Sequence, residues 1–484
     1  MKNYVEKFHP SGGFDKAKTR LLGRGDKQLE TAESEAPVAR VETIFLMMAI
    51  AARDDLEVFK IDFESAFLNT PMPDEVKYKW LYLDKYAAER FVALQPEKFA
   101  GFQEPKGSML VEMKKLGYGW TEASHYWNKV LDRMFTEGGG YKSLSKDRAA
   151  YVKRRDNAIC MIGVIVDDLN CAATRGSGLK EELLKLCRDT FTSITVEEGD
   201  KINFIGMTFS FDRTNKWVDV SQKNYCQKLE MTYKPTSKPR TPASDKLFEC
   251  DPTSPLLKDQ LSYMSIVSAG MYCAKRTQPT ALPTATHLAT KYWHATEEDI
   301  KKAEQFIAYL AANPDHYLRL RSTSNNIVAC ADASYAEHAD AKSHTGGCIG
   351  LEYDDKVGYF MFISNKQSIV AKSSCEAELI AQSTIGEHIV WLREVMEELG
   401  FVPDKPTVLH QDNKAAIILA SKGCGSFKRT KHINVRYFWL KELIDKKLLE
   451  LLYVPTASMV ADILTKPLVG YKFKELQPKI QNWE

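Results

Sequence analysis

A mixed α+β and α/β fold in two successive units is what this 484-residue sequence predicts. Three observations point there. An apolar run, Ala158–Val166 (AICMIGVIV), ends on the acid pair Asp167-Asp168, and a second run, Leu56–Ile61, ends on Asp62. A proline-rich tract between Tyr233 and Pro255 then interrupts the pattern. Beyond Ile327, strand-like and helix-like segments alternate, and each again delivers an acid. Strands packed on both faces read as unbroken apolar runs, so the first two segments are expected as central strands.

Along the chain, residues 1–35 are polar and mixed in charge, suiting strands and loops of a mobile region. Thr43–Ala52 is helical in composition and is expected as a core helix before the first acid-bearing strand. Residues 76–110 read as irregular. Phe204-Ile205-Gly206-Met207 is expected to start a strand, and Gln222, Tyr225 and Leu229 suit a helix after it. Five prolines between Pro235 and Pro255 exclude a continuous helix or central strand, which makes this the linker. Residues 256–312 then read as helices, with Lys301–Ala312 amphipathic, and a second boundary falls at Arg321–Asn326.

In the last unit Ile327–Ala331 is a short strand ending in Asp332. Ser373 and Ser374 before Glu376 form a capping-box start for a helix reaching Glu398 and closed by Gly400. On that helix Leu379, Trp391, Leu392, Val395 and Leu399 would face the core, with Glu378 near its N-terminal end. Thr407–His410 leads to Asp412 at the start of an Ala/Ile-rich helix, and Asp462 is expected at the base of a C-terminal helix.

Composition bounds the chemistry. Length alone gives two or three domains with full cores. Net charge is +2, so basic character must be local: residues 1–28 carry seven Lys/Arg against three acids, and residues 411–450 are also rich in Lys and Arg. Ten cysteines without a C-x-x-C pair argue against zinc fingers and disulfide frameworks, and for a reducing compartment. The longest apolar runs have nine residues, too short to span a bilayer as a helix, and no secretory signal opens the chain.

Clustered carboxylates repel one another and resist burial unless a cation joins them. The usual cation is Mg²⁺, which takes oxygen ligands and bridges phosphates. An aromatic five residues after Asp62, Phe67, could lie under a sugar and exclude a 2′-hydroxyl.

Asp62-Phe63-Glu64-Ser65-Ala66-Phe67-Leu68-Asn69 and Ile165-Val166-Asp167-Asp168 resemble the two catalytic polymerase motifs of copia-type retrotransposon reverse transcriptases. Lys18–Gly25 with Gln28 is similar to their basic fingers stretch, and Lys114–Trp120 with Trp127 to the stretch that meets nucleotide and template. Ala331-Asp332-Ala333, Cys375–Glu378, Gln411-Asp412-Asn413 and Ala461–Pro467 resemble the ribonuclease H region of the same Pol polyproteins, in order. Glu378 fits that pattern better than Glu376, because the family places alanine three residues after its glutamate, here Ala381.

The resemblance implies a right-hand polymerase with fingers, palm and thumb or connection, followed by a ribonuclease H-like α/β domain. It divides the chain into 1–234 (fingers and palm), 235–325 (linker and helical thumb/connection) and 326–484 (ribonuclease H-like). It implies an RNA-directed DNA polymerase with ribonuclease H, using two Mg²⁺ or Mn²⁺ ions per active site. Asp62, Asp167 and Asp168 would hold one pair, and Asp332, Glu378, Asp412 and Asp462 the other. Lys18, Arg20, Arg24 and Phe67 are candidates for binding the incoming nucleotide, and His432 for proton transfer. Implied partners are RNA template, DNA primer, RNA–DNA hybrid and dNTPs, with no membrane, in a homodimer or polyprotein context. The implied location is intracellular, in cytoplasmic virus-like particles and the nucleus.

The sequence departs from the family at Ile165 (usually tyrosine), Glu122 (glutamine), Ser124-His125 (Pro-Arg) and Asn434 (an acid). None of these is an expected metal ligand. Protease, zinc-knuckle and integrase motifs are absent, as expected of the C-terminal part of a longer polyprotein or of a remnant with a new start. Two rival readings remain: a decayed or co-opted nucleic-acid-binding protein, and a chain with ribonuclease H activity alone.

Overall fold

The computed structural model describes residues 2–8, 14–28, 34–74, 76, 80–191, 193–422 and 431–484. A hairpin of Lys2–Phe8 and Phe14–Leu21 comes first. The helix Val41–Arg53 follows, with Thr43 through Ala52 all buried. Its sequence is apolar around the whole circumference because it is covered on all sides. It lies against the palm strand Asp168–Ala173, the strands Trp217–Ser221 and Tyr317–Arg321, and the later strand Lys356–Lys366. Gly163 permits this approach: a Cβ there would stand 2.1 Å from Ile44 Cδ1.

Six antiparallel strands form the first large sheet, which holds the segment expected as the palm, in the order Ile194–Glu198, Glu57–Phe63, Asp168–Ala173, Ala158–Ile165, Ala150–Arg155, Lys142–Ser143. A second antiparallel sheet joins Lys201–Phe204, Met207–Asp212, Trp217–Ser221 and Tyr317–Arg321. Phe204–Met207, expected to begin a strand, is instead a tight turn with Ile205 at φ 41° and Gly206 at φ 72°. Residues 76–110 also depart from expectation, with strands Trp80–Leu83 and Met109–Glu112 and the helix Lys85–Leu94, capped by Asp84. These elements are short and largely exposed, so they leave little apolar periodicity to read.

The helices Gln260–Ala274, Leu282–Ala289 and Glu297–Ala312 follow the proline-rich tract, the last opening with a Thr296/Asp299 capping box. The tract itself has no helix or strand, yet Leu247 and Phe248 are buried. The final unit is a five-stranded sheet in the order Lys356–Lys366, His344–Tyr353, Ile327–Ser334, Thr407–Gln411, Leu449–Tyr453. Its first three strands are antiparallel and the last two run parallel to the central one. The helix Ser374–Leu399 packs across Ile327–Ser334 and His344–Tyr353, with Gly400 closing it at φ 83°.

Trp391, expected toward the core, packs partly buried against it and also reaches the first unit. Its ring carries the Arg40 guanidinium at 4.6 Å and its Nε1 donates to Lys146 O at 3.2 Å. Among the described residues no helix is long and apolar enough to cross a membrane, and all nine cysteines are free thiols.

Candidate active sites

The first site grows from strand register. Asp62, near the end of Glu57–Phe63, pairs with Asp168 at the start of the adjacent strand. Asp168 also pairs with Ile165, so Val166 and Asp167 form a two-residue loop that holds a carboxylate at the sheet end. Val166 adopts φ 58°, a left-handed conformation that costs a β-branched residue roughly 1–3 kcal/mol. Buried contacts hold it there: Trp127 Nε1 donates to Val166 O at 2.6 Å, and Phe63 N to Asp167 O at 3.3 Å. Trp127 is wedged against Phe63, Phe191 and Phe67, with ring centroids 5.4, 5.0 and 6.4 Å away.

Burial, followed by the Asp168 charge, raises the Asp62 pKa, while Lys60 opposes the shift. Lys60 Nζ pairs ionically with Asp168 Oδ1 at 2.8 Å, a contact without hydrogen-bond alignment. Phe67, half-buried on the short helix Ala66–Asn69, meets Tyr118 edge to face at 5.4 Å.

Tyr118 is also where the basic fingers stretch docks, with Gly23 N donating to Tyr118 O at 2.7 Å and Gly25 N to Gly119 O at 3.0 Å. Backbone this close requires glycine: a Cβ on Gly25 would fall 2.4 Å from Gly119 O. Arg24 is exposed and engaged by Asp26 through two bonds of 2.7 and 2.6 Å. Lys18 and Arg20 lie on the strand Phe14–Leu21, but their side chains are outside the described residues. Glu122, one of the departures from the family, is buried and accepts from Gln28 Nε2 at 3.3 Å.

The second site brings Asp332, Glu378 and Asp412 together. One carboxylate oxygen from each lies within 4.8 Å of the others, the one such trio of potential ligands among the described residues. Asp332 comes from the central strand, Glu378 from the second turn of the long helix, and Asp412 from the end of Thr407–Gln411. Glu376 is turned away, its carboxylate accepting from Lys372 N at 2.8 Å as half of a helix cap. Burial first, then the charges of Asp332 and Asp412, push the Glu378 pKa up to about 9. Burial likewise lifts Asp332 to about 6, against the nearby Lys466 charge.

Two polar side chains that sequence reasoning passed over organise this trio. Gln411 donates to Glu378 Oε2 at 3.2 Å and accepts from Asp412 N at 2.8 Å. Thr465 Oγ1 donates to Asp332 Oδ2 at 2.6 Å. Their only sequence signal was adjacency to an expected ligand or place within its motif.

Asp462 stands outside the trio. It lies on the 3₁₀ turn Val460–Leu464, not on the C-terminal helix Gly470–Ile480, because Pro467 precedes that helix and delays its start. Both of its oxygens are taken, one by Lys466 and the other by Lys472. His432 belongs to the helix Lys431–Asp445, but its side chain is outside the described residues.

The trio at the second site fits a hard divalent cation, while at the first site Asp62 and Asp168 face each other across paired strands with Lys60 on Asp168. Carboxylates raised by burial and by each other form an oxygen donor set whose repulsion a dication would relieve.

Residues 13–239 match the family model of "Reverse transcriptase (RNA-dependent DNA polymerase)". The chain is 27% identical over 472 residues to the retrovirus-related Pol polyprotein from transposon TNT 1-94 of Nicotiana tabacum, covering 94% of this chain and 33% of that protein. It is 27% identical over 488 residues to the Pol polyprotein from transposon RE2 of Arabidopsis thaliana, covering 99% and 31%. The chain thus spans about a third of the length of these curated relatives. Its fold is similar to that of a foamy viral protease-reverse transcriptase solved with double-stranded DNA, with TM-score 0.50, 11% identity, and coverage of 94% of this chain and 64% of that one. The chain is therefore similar at residues 13–239 to the reverse transcriptase family and, along nearly its whole length, to the matching third of transposon Pol polyproteins.

Proposed function

We propose that the chain is an RNA-directed DNA polymerase joined to a ribonuclease H, working on primer–template and RNA–DNA hybrid. The observation that carries this reading is the presence of two separate carboxylate centres, each at the end of its own sheet, in a chain similar to Pol polyproteins. In the same reading the chain divides into fingers and palm (1–234), linker and connection (235–325) and ribonuclease H-like domain (326–484).

Asp62, Asp167 and Asp168 hold the polymerase ions, Mg²⁺ or Mn²⁺, and Asp332, Glu378, Asp412 and Asp462 the hydrolytic ones. Such ions, two per site, supply charge stabilisation for in-line displacement at phosphorus. The residues do the placing. Trp127 and Phe63 fix the strained loop, so that Asp167 and Asp168 keep one arrangement while substrate changes. Lys60 offsets repulsion between Asp62 and Asp168. Phe67, braced by Tyr118 and Trp127, lies under the sugar and disfavours a 2′-hydroxyl.

Lys18, Arg20 and Arg24 bind the triphosphate, Arg24 exchanging Asp26 for phosphate oxygens. At the second site Gln411 orients Glu378, and His432 serves proton transfer to the departing RNA oxygen. Partners are RNA template, DNA primer and dNTPs. Similarity to transposon proteins supports work inside the cell, in cytoplasmic particles and the nucleus, within a polyprotein or a homodimer.

Primer extension on an RNA template with dNTPs tests the reading. Mg²⁺-dependent synthesis, abolished by chelation, is expected. Hybrid cleavage without any extension would leave ribonuclease activity alone, and metal-independent binding without turnover would leave a binding protein.

A further inference from the structure

The fourth acid of the ribonuclease site differs from the other three in the company it keeps. Asp332, Glu378 and Asp412 face one another with oxygens within 4.8 Å. Asp462 is 1% exposed, yet its oxygens face two ammonium groups: Lys466 Nζ at 2.5 Å from Oδ1, and Lys472 Nζ on Oδ2. The two lysines come from different places. Lys466 lies four residues after Asp462, just beyond the 3₁₀ turn, and Lys472 lies in the first turn of the C-terminal helix. Lys466 is partly exposed, and its charge bears on Asp332 and Glu378 as well as on Asp462. The neighbouring Thr465 hydroxyl bonds Asp332 at 2.6 Å, so one short segment reaches both Asp332 and Asp462.

A buried carboxylate without a counter-charge is strongly unfavourable, and a divalent ion and an ammonium group are alternative ways to meet that need. Here the ammonium groups are covalently part of the chain and always present. We propose that Lys466 and Lys472 are built-in counter-ions that hold Asp462 out of the metal-binding set until a divalent ion displaces them. The ribonuclease site therefore fills unequally. One ion enters the trio directly, and the ion that needs Asp462 enters only against the two lysines. Lys466 and Lys472 are positioning residues, acting through Asp462. This inference rests on the reading of Asp332, Glu378 and Asp412 as metal ligands.

The test counts bound Mn²⁺ on the full chain without nucleic acid, from the loss of the free-ion electron paramagnetic resonance signal. An Asp167→Asn/Asp168→Asn background silences the polymerase centre. Expected in that background is one tight ion, with a second needing at least about tenfold more metal, the scale set by one uncompensated charge interaction. Lys466→Met and Lys472→Met, made singly so that Asp462 keeps one partner and the fold is spared, should each tighten the second ion by several-fold. Lys466→Arg should restore the unequal filling, since it keeps the charge. Unchanged binding of the second ion in both methionine variants would overturn the proposal. Retention of the tight ion in Asp332→Asn/Glu378→Gln would instead overturn the reading of the trio, so the two failures are separable.

Discussion

At the residue scale, the chemistry depends on acids held where water and neighbours do not favour their charge. Glu378 is the extreme case, its pKa raised from an ordinary 4.5 to about 9 by burial and by Asp332 and Asp412. A raised carboxyl keeps its proton in the folded state and gives it up more readily when unfolded. Its contribution to stability is therefore full below about pH 4.5 and is lost as pH rises through about 9. The metal-free protein should melt at progressively lower temperature between pH 5 and pH 9, and Glu378→Gln should flatten that dependence. Calorimetry across this range checks it, and a slope unchanged in Glu378→Gln would contradict the assignment. Phe67 makes a different claim, about shape. Phe67→Val should raise ribonucleotide incorporation by one to two orders of magnitude, about 1.4–2.8 kcal/mol in selectivity, while leaving deoxynucleotide use nearly intact. Single-nucleotide insertion with paired dNTP and rNTP substrates measures it, and unaltered discrimination would remove Phe67 from the sugar pocket.

At the element scale, the segments readable in the sequence were those whose burial is complete and local. Val41–Arg53 and Ala158–Ile165 are apolar on every side because other elements cover them on every side, and both were legible. Glu378 and Asp412 were also legible, from a helix start and a strand end, whereas the strand expected to stop at Asp332 runs on to Ser334. The turn at Ile205-Gly206 was not, because Ile205 in a left-handed conformation breaks the usual residue preference. Lys466 and Lys472 were hidden for another reason: charge partners are set by tertiary approach, and exposed-looking lysines carry no mark of it.

The proline-rich linker was legible as a break, but its docking was not. Phe248 from that tract packs on His287, His338 and His344, with centroids at 5.0, 4.7 and 5.5 Å. His338 Nε2 lies 3.0 Å from His344 Nδ1, whose ring reaches Ser364 Oγ at 2.9 Å. Burial pushes the three pKa values down to about 2, 4 and 3; the His338 charge adds to the effect on His287 and His344, Lys291 and Lys302 to that on His287, and Lys366 to that on His338. Depressed histidines stay neutral when folded but charge when unfolded, so stability present above about pH 6.5 is lost as pH falls. Each group contributes up to about 1.4 kcal/mol per pH unit below 6.5. Acid should therefore loosen the joint between the proline-rich tract, the helix Leu282–Ala289 and the final five-stranded unit. Hydrogen exchange at residues 243–250 between pH 7 and pH 5 measures this, and equal protection at both values would contradict it.

At the scale of the whole molecule, the unit that carries Asp62, Asp167 and Asp168 and the unit that carries Asp332, Glu378 and Asp412 are fastened together. Arg154, on the strand Ala150–Arg155, donates to Leu399 O at 2.9 and 2.7 Å and to Gly400 O at 3.1 Å, capping the helix Ser374–Leu399 from outside. Ser145 N binds Glu398 Oε2 at 2.5 Å, and Lys146 pairs with Glu394 at 3.1 Å. A cation at a helix C-terminus meets both its dipole and its unpaired carbonyls. Arg154→Ala should cost about 1 kcal/mol in stability and widen the spread of hybrid cut positions behind the primer end. Each activity on its own separate substrate should stay near that of the unaltered chain. Mapping cuts on a labelled RNA template checks the spacing, and an unchanged pattern would mean that this joint does not set it.

Two centres on one chain, each built from its own acids, is the claim on which the rest stands. The most direct measurement runs Mg²⁺-dependent primer extension and hybrid cleavage on one preparation each of the unaltered chain, Asp167→Asn/Asp168→Asn and Asp332→Asn/Glu378→Gln. The expected result is reciprocal: the first variant loses extension by more than about a hundredfold and keeps cleavage, and the second does the reverse. Folded variants that each lose both activities, or that lose neither, would contradict it.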